Sequence, residues 1–154
     1  MGKYSFKSSG TTQAQNAANQ LAVTPTAIGI LTPLSLGTTG LLQTSTDLGT
    51  QLADNLRNLV LTNWGERLGL YNFGANLRPL MTDLVSQDDF DSQAITRIRN
   101  AVQRWMPYID LQDFISAVDR SKSPGLAVIN LIITFNIPSL NIKGRQLQAT
   151  LYAI

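Results

Sequence analysis

The residues best equipped for chemistry crowd one short stretch, Leu59 to Met81. It reads Trp64-Gly65-Glu66-Arg67, then Tyr71, then Phe73-Gly74, then Leu77-Arg78-Pro79-Leu80. Glu66 is the only glutamate in the chain, so carboxylate chemistry comes first. Glycoside hydrolysis needs two carboxyl groups across a cleft, one of them with a raised pKa. Glu66 stands beside Arg67, which favours its charged form. The acids that follow, Asp83, Asp88, Asp89 and Asp91, lie in a polar stretch where solvated-loop or helix-capping roles are commoner. A hard-metal site at Asp88, Asp89 and Asp91 would lack the alternating spacing and the glycine of a calcium loop. Histidine and cysteine are absent, which excludes thiolate or imidazole metal ligation, disulfides and histidine-based triads. No glycine-rich phosphate motif is present either. The expectation is a protein with no catalytic residue, no cofactor, no metal and no small-molecule substrate.

Nucleic acid is the other chemistry to weigh. Arg97, Arg99 and Arg104 with Trp105 and Tyr108 would make a basic, aromatic face. The net charge of +2 gives no general case for a polyanion partner, and Trp105 falls on the apolar stripe of its helix, where a core role is commoner. Only 14% of the residues are charged, against a typical ~25%. The surface is therefore left to amides, hydroxyls and apolar groups, which suits a subunit buried among partners. The longest apolar run, Leu131 to Phe135, is bounded by Asn130 and Asn136 and falls far short of the ~20 residues a spanning helix needs. No apolar signal core follows Lys3, so a cytoplasmic place of synthesis is expected. The residues alone lead to a non-enzymatic interaction protein.

The elements that must position the stretch can be read in order. Residues 1–20 are small and polar, which predicts an arm that is flexible or orders on a partner, followed by a single domain over 21–154. Pro25, Pro33, Gly29, Gly37 and Gly40 make residues 21–42 an extended strap with turns. A first helix is capped at Ser45 or Thr46 and carries Leu48, Leu52, Leu56, Leu59 and Val60 on one face, with Gln51, Asp54, Asn55 and Arg57 on the others. It ends near Thr62-Asn63. Gly65, Gly69 and Gly74 mark bends, and Pro79 suits the first turn of a short helix over 77–84. Residues 86–91 read as an acidic turn. A second main helix, capped at Asp91 or Ser92, runs to Trp105 with Ile95, Ile98 and Val102 inward, and Pro107 stops it. The period then switches to two. A strand around Ile109–Ile115 has a bulge near Asp113-Phe114, residues 121–125 turn, and Ile129 to Ile137 alternate. Residues 138–144 form a loop, and Arg145 to Ile154 alternate again. The predicted fold is α+β: two main helices and a glycine-rich connection packed on a C-terminal antiparallel three-stranded meander.

The central stretch resembles the core motif of the baseplate wedge and sheath-initiator family of contractile phage tails and related type VI secretion baseplates, once called acidic-lysozyme-like. That pattern is a helix ending in Leu-Leu-Thr, a Gly-Glu-Arg turn, an acidic residue before Phe-Gly, then Leu-Arg and an apolar pair. Gly65, Glu66, Arg67, Phe73, Gly74, Leu77, Arg78 and Leu80 match it, while Asn72 replaces the acid. The family then has an aromatic residue before Glu-Pro-Arg-Ile. Trp105, Pro107 and Ile109 agree, whereas Met106 and Tyr108 stand where the two charged residues would be, which implies an apolar or hydrogen-bonded replacement for that partner contact. The resemblance spans residues 28–154.

The resemblance implies a structural subunit of a contractile-tail baseplate within a virion, assembled in the host cytoplasm. Its partners would be other wedge proteins, the tail sheath protein, and the tail tube or hub, with no membrane or nucleic acid. It would start sheath assembly by offering strand edges. The last strand, with Arg145, Leu147, Ala149 and Leu151, is the candidate edge, and a chain ending near Ile137 is expected to stay soluble yet fail to recruit sheath. The alternatives are a tail-borne cell-wall hydrolase acting through Glu66 and a small nucleic-acid-binding domain.

Overall fold

In the computed structural model, residues 13, 26–37, 40–82, 87–123 and 126–153 are described. The expected arm over 1–20 lies outside them except for Gln13, as do the start of the strap and residues 124–125 of the turn expected over 121–125. The first element inside them is a two-stranded ribbon. Strand β1, Gly29–Ile30, pairs antiparallel with β2, Thr44–Ser45, and the strap between them holds a cis Thr32–Pro33 bond. A proline's tertiary amide makes that isomer accessible.

Helix α1 spans Leu48–Leu61. Its cap is Asp47, whose carboxylate accepts from the backbone N–H and the hydroxyl of Thr50 at 2.7 and 2.6 Å. These bonds to the charged form hold the Asp47 carboxyl below its ordinary pKa. The cap is therefore one or two residues later than expected, and Leu48, in the first turn, is exposed rather than buried. A second correction concerns Asp54, expected on a solvated face and found 7% exposed. Its carboxylate accepts from Thr32 N–H at 3.0 Å, and Arg57 lies 3.8 Å away while reaching the Thr32 carbonyl at 3.5 Å. A buried carboxylate needs such partners, and here they fasten the strap to the helix.

Helix α2 is Arg78–Thr82, and helix α3 is Gln87–Trp105. Helix α3 begins four residues before the expected cap, so the segment read as an acidic turn is largely its first turn. Phe90 explains the early start, because it is buried at 3% exposure and extends the stripe of Ala94, Ile98, Ala101 and Val102 one turn back. Asp91 accepts from the Ser116 hydroxyl instead of capping.

Strands β3 (Asp110–Ser123), β4 (Leu126–Ile137) and β5 (Ile142–Ala153) form an antiparallel sheet in the order β3-β4-β5. The register shifts between Leu111 and Asp113, beside the expected bulge. A short 3-10 turn, Pro138–Leu140, replaces half of the predicted loop, so β5 starts three residues earlier than Arg145. Alternation sorts the two faces. Ile129, Leu131, Ile133, Phe135 and Ile137 meet Leu147, Ala149 and Leu151 and the inward sides of α1 and α3 in one core. Ile115, Gln148 and Tyr152 lie on exposed ground. Burying each large apolar side chain is worth about 1.5–3 kcal/mol relative to leaving it in water. Because β5 supplies three of these residues and pairs with β4 along its length, a chain ending near Ile137 would lose part of its core, contrary to the expectation that it stays soluble.

Candidate functional site

Between α1 and α2 the chain folds into a knot of turns, and its bends need glycine. Gly65, Gly69 and Gly74 have φ of 86°, 79° and 108°, a region that a side chain disfavours. At Gly74 the demand is absolute, since a Cβ would stand 2.1 Å from the Thr62 carbonyl oxygen. That approach lets Ala75 N–H reach Leu59 O at 3.0 Å and Asn76 N–H reach Thr62 O at 3.3 Å, closing the knot on the last turn of α1.

Glu66 is tied up inside the knot. Its carboxylate accepts from Asn63 backbone N–H at 2.8 Å and Asn63 Nδ2 at 2.9 Å. The Asn63 side-chain and backbone bonds, helped by Arg78, hold its pKa below the ordinary 4.5. Asn63 Oδ1 in turn accepts from Arg78 N–H at 3.0 Å, which joins the knot to the start of α2. The shallow depression around Glu66 is lined also by Asn63, Trp64, Gly65, Asn76, Arg78 and Pro79, without a second carboxylate. A general acid would need the opposite shift and a second acid across the cleft.

A second cleft lies on the other side of Trp64, between the knot and α3, with a volume of about 270 Å³. Trp64 and Trp105 contribute to its walls, with Asn72, Asn76, Arg97, Asn100 and Arg104. Trp64 is fixed by its Nε1–H donating to Gly74 O at 3.2 Å. Trp105 packs on Phe73 with ring centroids 5.2 Å apart, and the Arg67 guanidinium lies 3.9 Å from the Phe73 ring centre on that ring's face. Arg97 Nη1 donates to Asn76 O at 2.6 Å. With its oxygen turned towards Arg104, the Asn72 amide accepts from both Nη1 and Nη2 at 3.0 Å. Asn72 is the residue that replaces the pattern's acid, so this guanidinium is held by a neutral group.

The matched motif residues are thus brought together, in different roles. Gly65, Glu66, Arg67, Phe73, Gly74, Leu77 and Arg78 all belong to the knot, with Gly74 and Leu77 buried and Glu66, Arg67 and Arg78 exposed. Trp105 is half-buried against them. Met106 turns into the core at 5% exposure, leaving Pro107 and Tyr108 outside. Arg145, Leu147, Ala149 and Leu151 lie on β5, away from the motif. The side chains of Leu147, Ala149 and Leu151 are buried, and Arg145 Nη2 donates to Thr50 Oγ1 at 3.1 Å; β5 is an outer strand of the sheet, paired among the described residues with β4. Asn63 was read from sequence only as the end of the first helix and Asn72 only as the replacement for the pattern's acid, and Asn76 was not singled out. The spacing of Asn63 three residues before Glu66 resembles a capping box and was the available signal. Among the described residues no group of three acids, histidines or cysteines is placed to hold a metal, and no described helix is long and apolar enough to cross a membrane.

Among the described residues the architecture is an α+β fold with three α-helices and a three-stranded antiparallel meander. It is shared with a chain of the anti-feeding prophage baseplate, solved by cryo-electron microscopy with six-fold symmetry, at a TM-score of 0.56 and 18% identity over 70% of this chain and 82% of that one. It is shared too with a protein of Geobacter sulfurreducens provisionally termed a tail lysozyme, at 0.52 and 17% identity over 71% and 93%. Comparison with protein-family models and with curated proteins found no match. This is the fold that the motif resemblance implies.

Proposed function

We propose that the protein is a non-enzymatic structural subunit of a contractile-tail baseplate, binding other wedge components and starting the sheath through a strand edge. The fold shared with a prophage baseplate chain is the observation that carries this reading. Physically, β3 and β5 are the outer strands of the sheet, and among the described residues neither has a partner beyond β4. Unpaired backbone donors and acceptors on such an edge accept another chain's strand readily. The β5 edge is the one proposed to meet sheath.

Absence of cysteine allows a direct test. A single Gln148→Cys, exposed on β5, carrying a short photoreactive crosslinker in assembled particles is expected to join the sheath protein. Crosslinks to tube or hub alone would refute the edge assignment. A cell-wall hydrolase is the second reading, favoured by the provisional term given to the Geobacter protein. The hydrogen-bonded, low-pKa state of Glu66 opposes it. Peptidoglycan clearing by the purified protein that disappears in Glu66→Gln would replace the structural reading with that one.

A further inference from the structure

Among the described residues, the cleft between Trp64 and Trp105 holds two cations with no carboxylate beside them. Arg97 and Arg104, seven residues apart on α3, are bound by a backbone carbonyl and an amide oxygen. Among the described residues no carboxylate lines the cleft, and Arg57 is paired with Asp54 on α1. Glu66 occupies the neighbouring depression and is already engaged by Asn63. Residues 1–25 contain no Asp or Glu, so that part of the chain has no acid to offer. Two indoles and three asparagines line it, with the Arg104 guanidinium 5.2 Å from the Trp105 ring centre, a setting that brings an apolar surface and a cation together. A volume of about 270 Å³ is at the small end of ligand sites. It suits one or two side chains of an extended peptide better than a stacked run of nucleotides.

We propose that this cleft is a docking site for a partner protein's acidic-apolar segment, with its carboxylate received by Arg104 and Arg97 and its apolar neighbour laid between Trp64 and Trp105. Guanidinium and carboxylate match in planar, two-bond geometry; the Asn72 oxygen takes one N–H from each terminal nitrogen of Arg104, which leaves the rest of its five N–H donors for a carboxylate. Asn100 stands on the same helix face, one turn from each arginine, able to bridge to the peptide backbone. The proposal deepens the reading of the chain as an assembly subunit by naming the chemistry of one partner contact, distinct from the β5 edge.

The two cleft tryptophans are the only two in the chain, beside four tyrosines, so fluorescence excited at the red edge, where tyrosine does not absorb, reports on this site. The full-length protein is titrated at low salt with a blocked hexapeptide alternating leucine and glutamate. Its leucine-glutamine counterpart and a short oligothymidylate run in parallel. A saturable change with the glutamate peptide alone is expected. It should weaken about tenfold in Arg104→Gln, from loss of a charge-assisted bidentate pair, and at least as much in Asn100→Asp, which places a like charge in the cleft. Both positions are exposed, and circular dichroism verifies that each variant folds. No saturable change, equal response to the glutamine peptide, or binding that ignores both substitutions overturns the proposal. Tighter binding of the oligonucleotide, lost in Arg104→Gln, would make the cleft a nucleic-acid site instead. A failed titration beside normal incorporation into tails refutes the cleft and leaves the baseplate reading standing.

Discussion

The meander and the knot are held by different physics. In the meander, apolar side chains of β4 and β5 interlock with α1 and α3, and the stabilising quantity is area removed from water. In the knot, the stabilising quantity is geometry: three left-handed glycines, an Asn63–Glu66 pair and two bonds back to α1. Burial by area tolerates changes of shape that keep the volume, whereas a backbone approach such as that at Gly74 tolerates no extra atom. The same contrast separates what is hidden from what is offered. The meander buries one face of apolar residues and leaves Ile115 and Tyr152 on the other, while the knot leaves Trp64, Leu68 and Tyr71 on the surface.

Phe135→Ala should do the greatest damage, about 3–5 kcal/mol by denaturant melting, and Phe135→Leu much less. An equal loss for both would mean that the sheet depends on shape as the knot does. Gly74→Ala comes next, at about 3 kcal/mol from the clash with the Thr62 carbonyl and the unfavourable φ together. If that single methyl costs nothing measurable in a thermal melt, the knot is not the rigid joint described. Asn63→Ala removes the side-chain donor to Glu66 and the acceptor for Arg78 N–H while the backbone N–H bond to Glu66 stays, with an expected loss of about 1–2 kcal/mol.

Glu66 sharpens the comparison through pH. Its folded-state pKa is lowered below 4.5, so its stabilising contribution is complete above that value and is lost as pH falls through the folded-state pKa. The melting-temperature gap between wild type and Glu66→Gln should be open at neutral pH and close in acid. A gap that widens on acidification would mean the carboxyl favours its protonated form, as a catalytic acid does. The smallest effect is predicted for Leu68→Asp, fully exposed, with stability changed by under about 0.5 kcal/mol.

Periodicity made the meander legible in advance, because period-two alternation over β4 and β5 is a signal each strand carries by itself. The stripe Ile98–Val102 of α3 was legible for the same reason. The earlier start of α3 was not, since Phe90 amid three aspartates declares its burial only when the core is present to receive it. Asp54 looked like a surface acid because the strap that buries it is distant in sequence. In the site, the positive-φ glycines and the Gly65-Glu66-Arg67 turn were visible as residue types. The cleft was not, because it joins Trp64 and Asn72 of the knot to Arg97 and Arg104 of a helix, and no local pattern encodes that meeting.

We propose that this chain helps to build a tail and that Glu66 serves only to shape a turn. This is tested most directly by counting sheathed tails in negative-stain micrographs from cells lacking the gene, complemented with wild type or Glu66→Gln. The account predicts no sheathed tails without the protein and equal numbers with either version. Normal sheathed tails in the uncomplemented cells would contradict it.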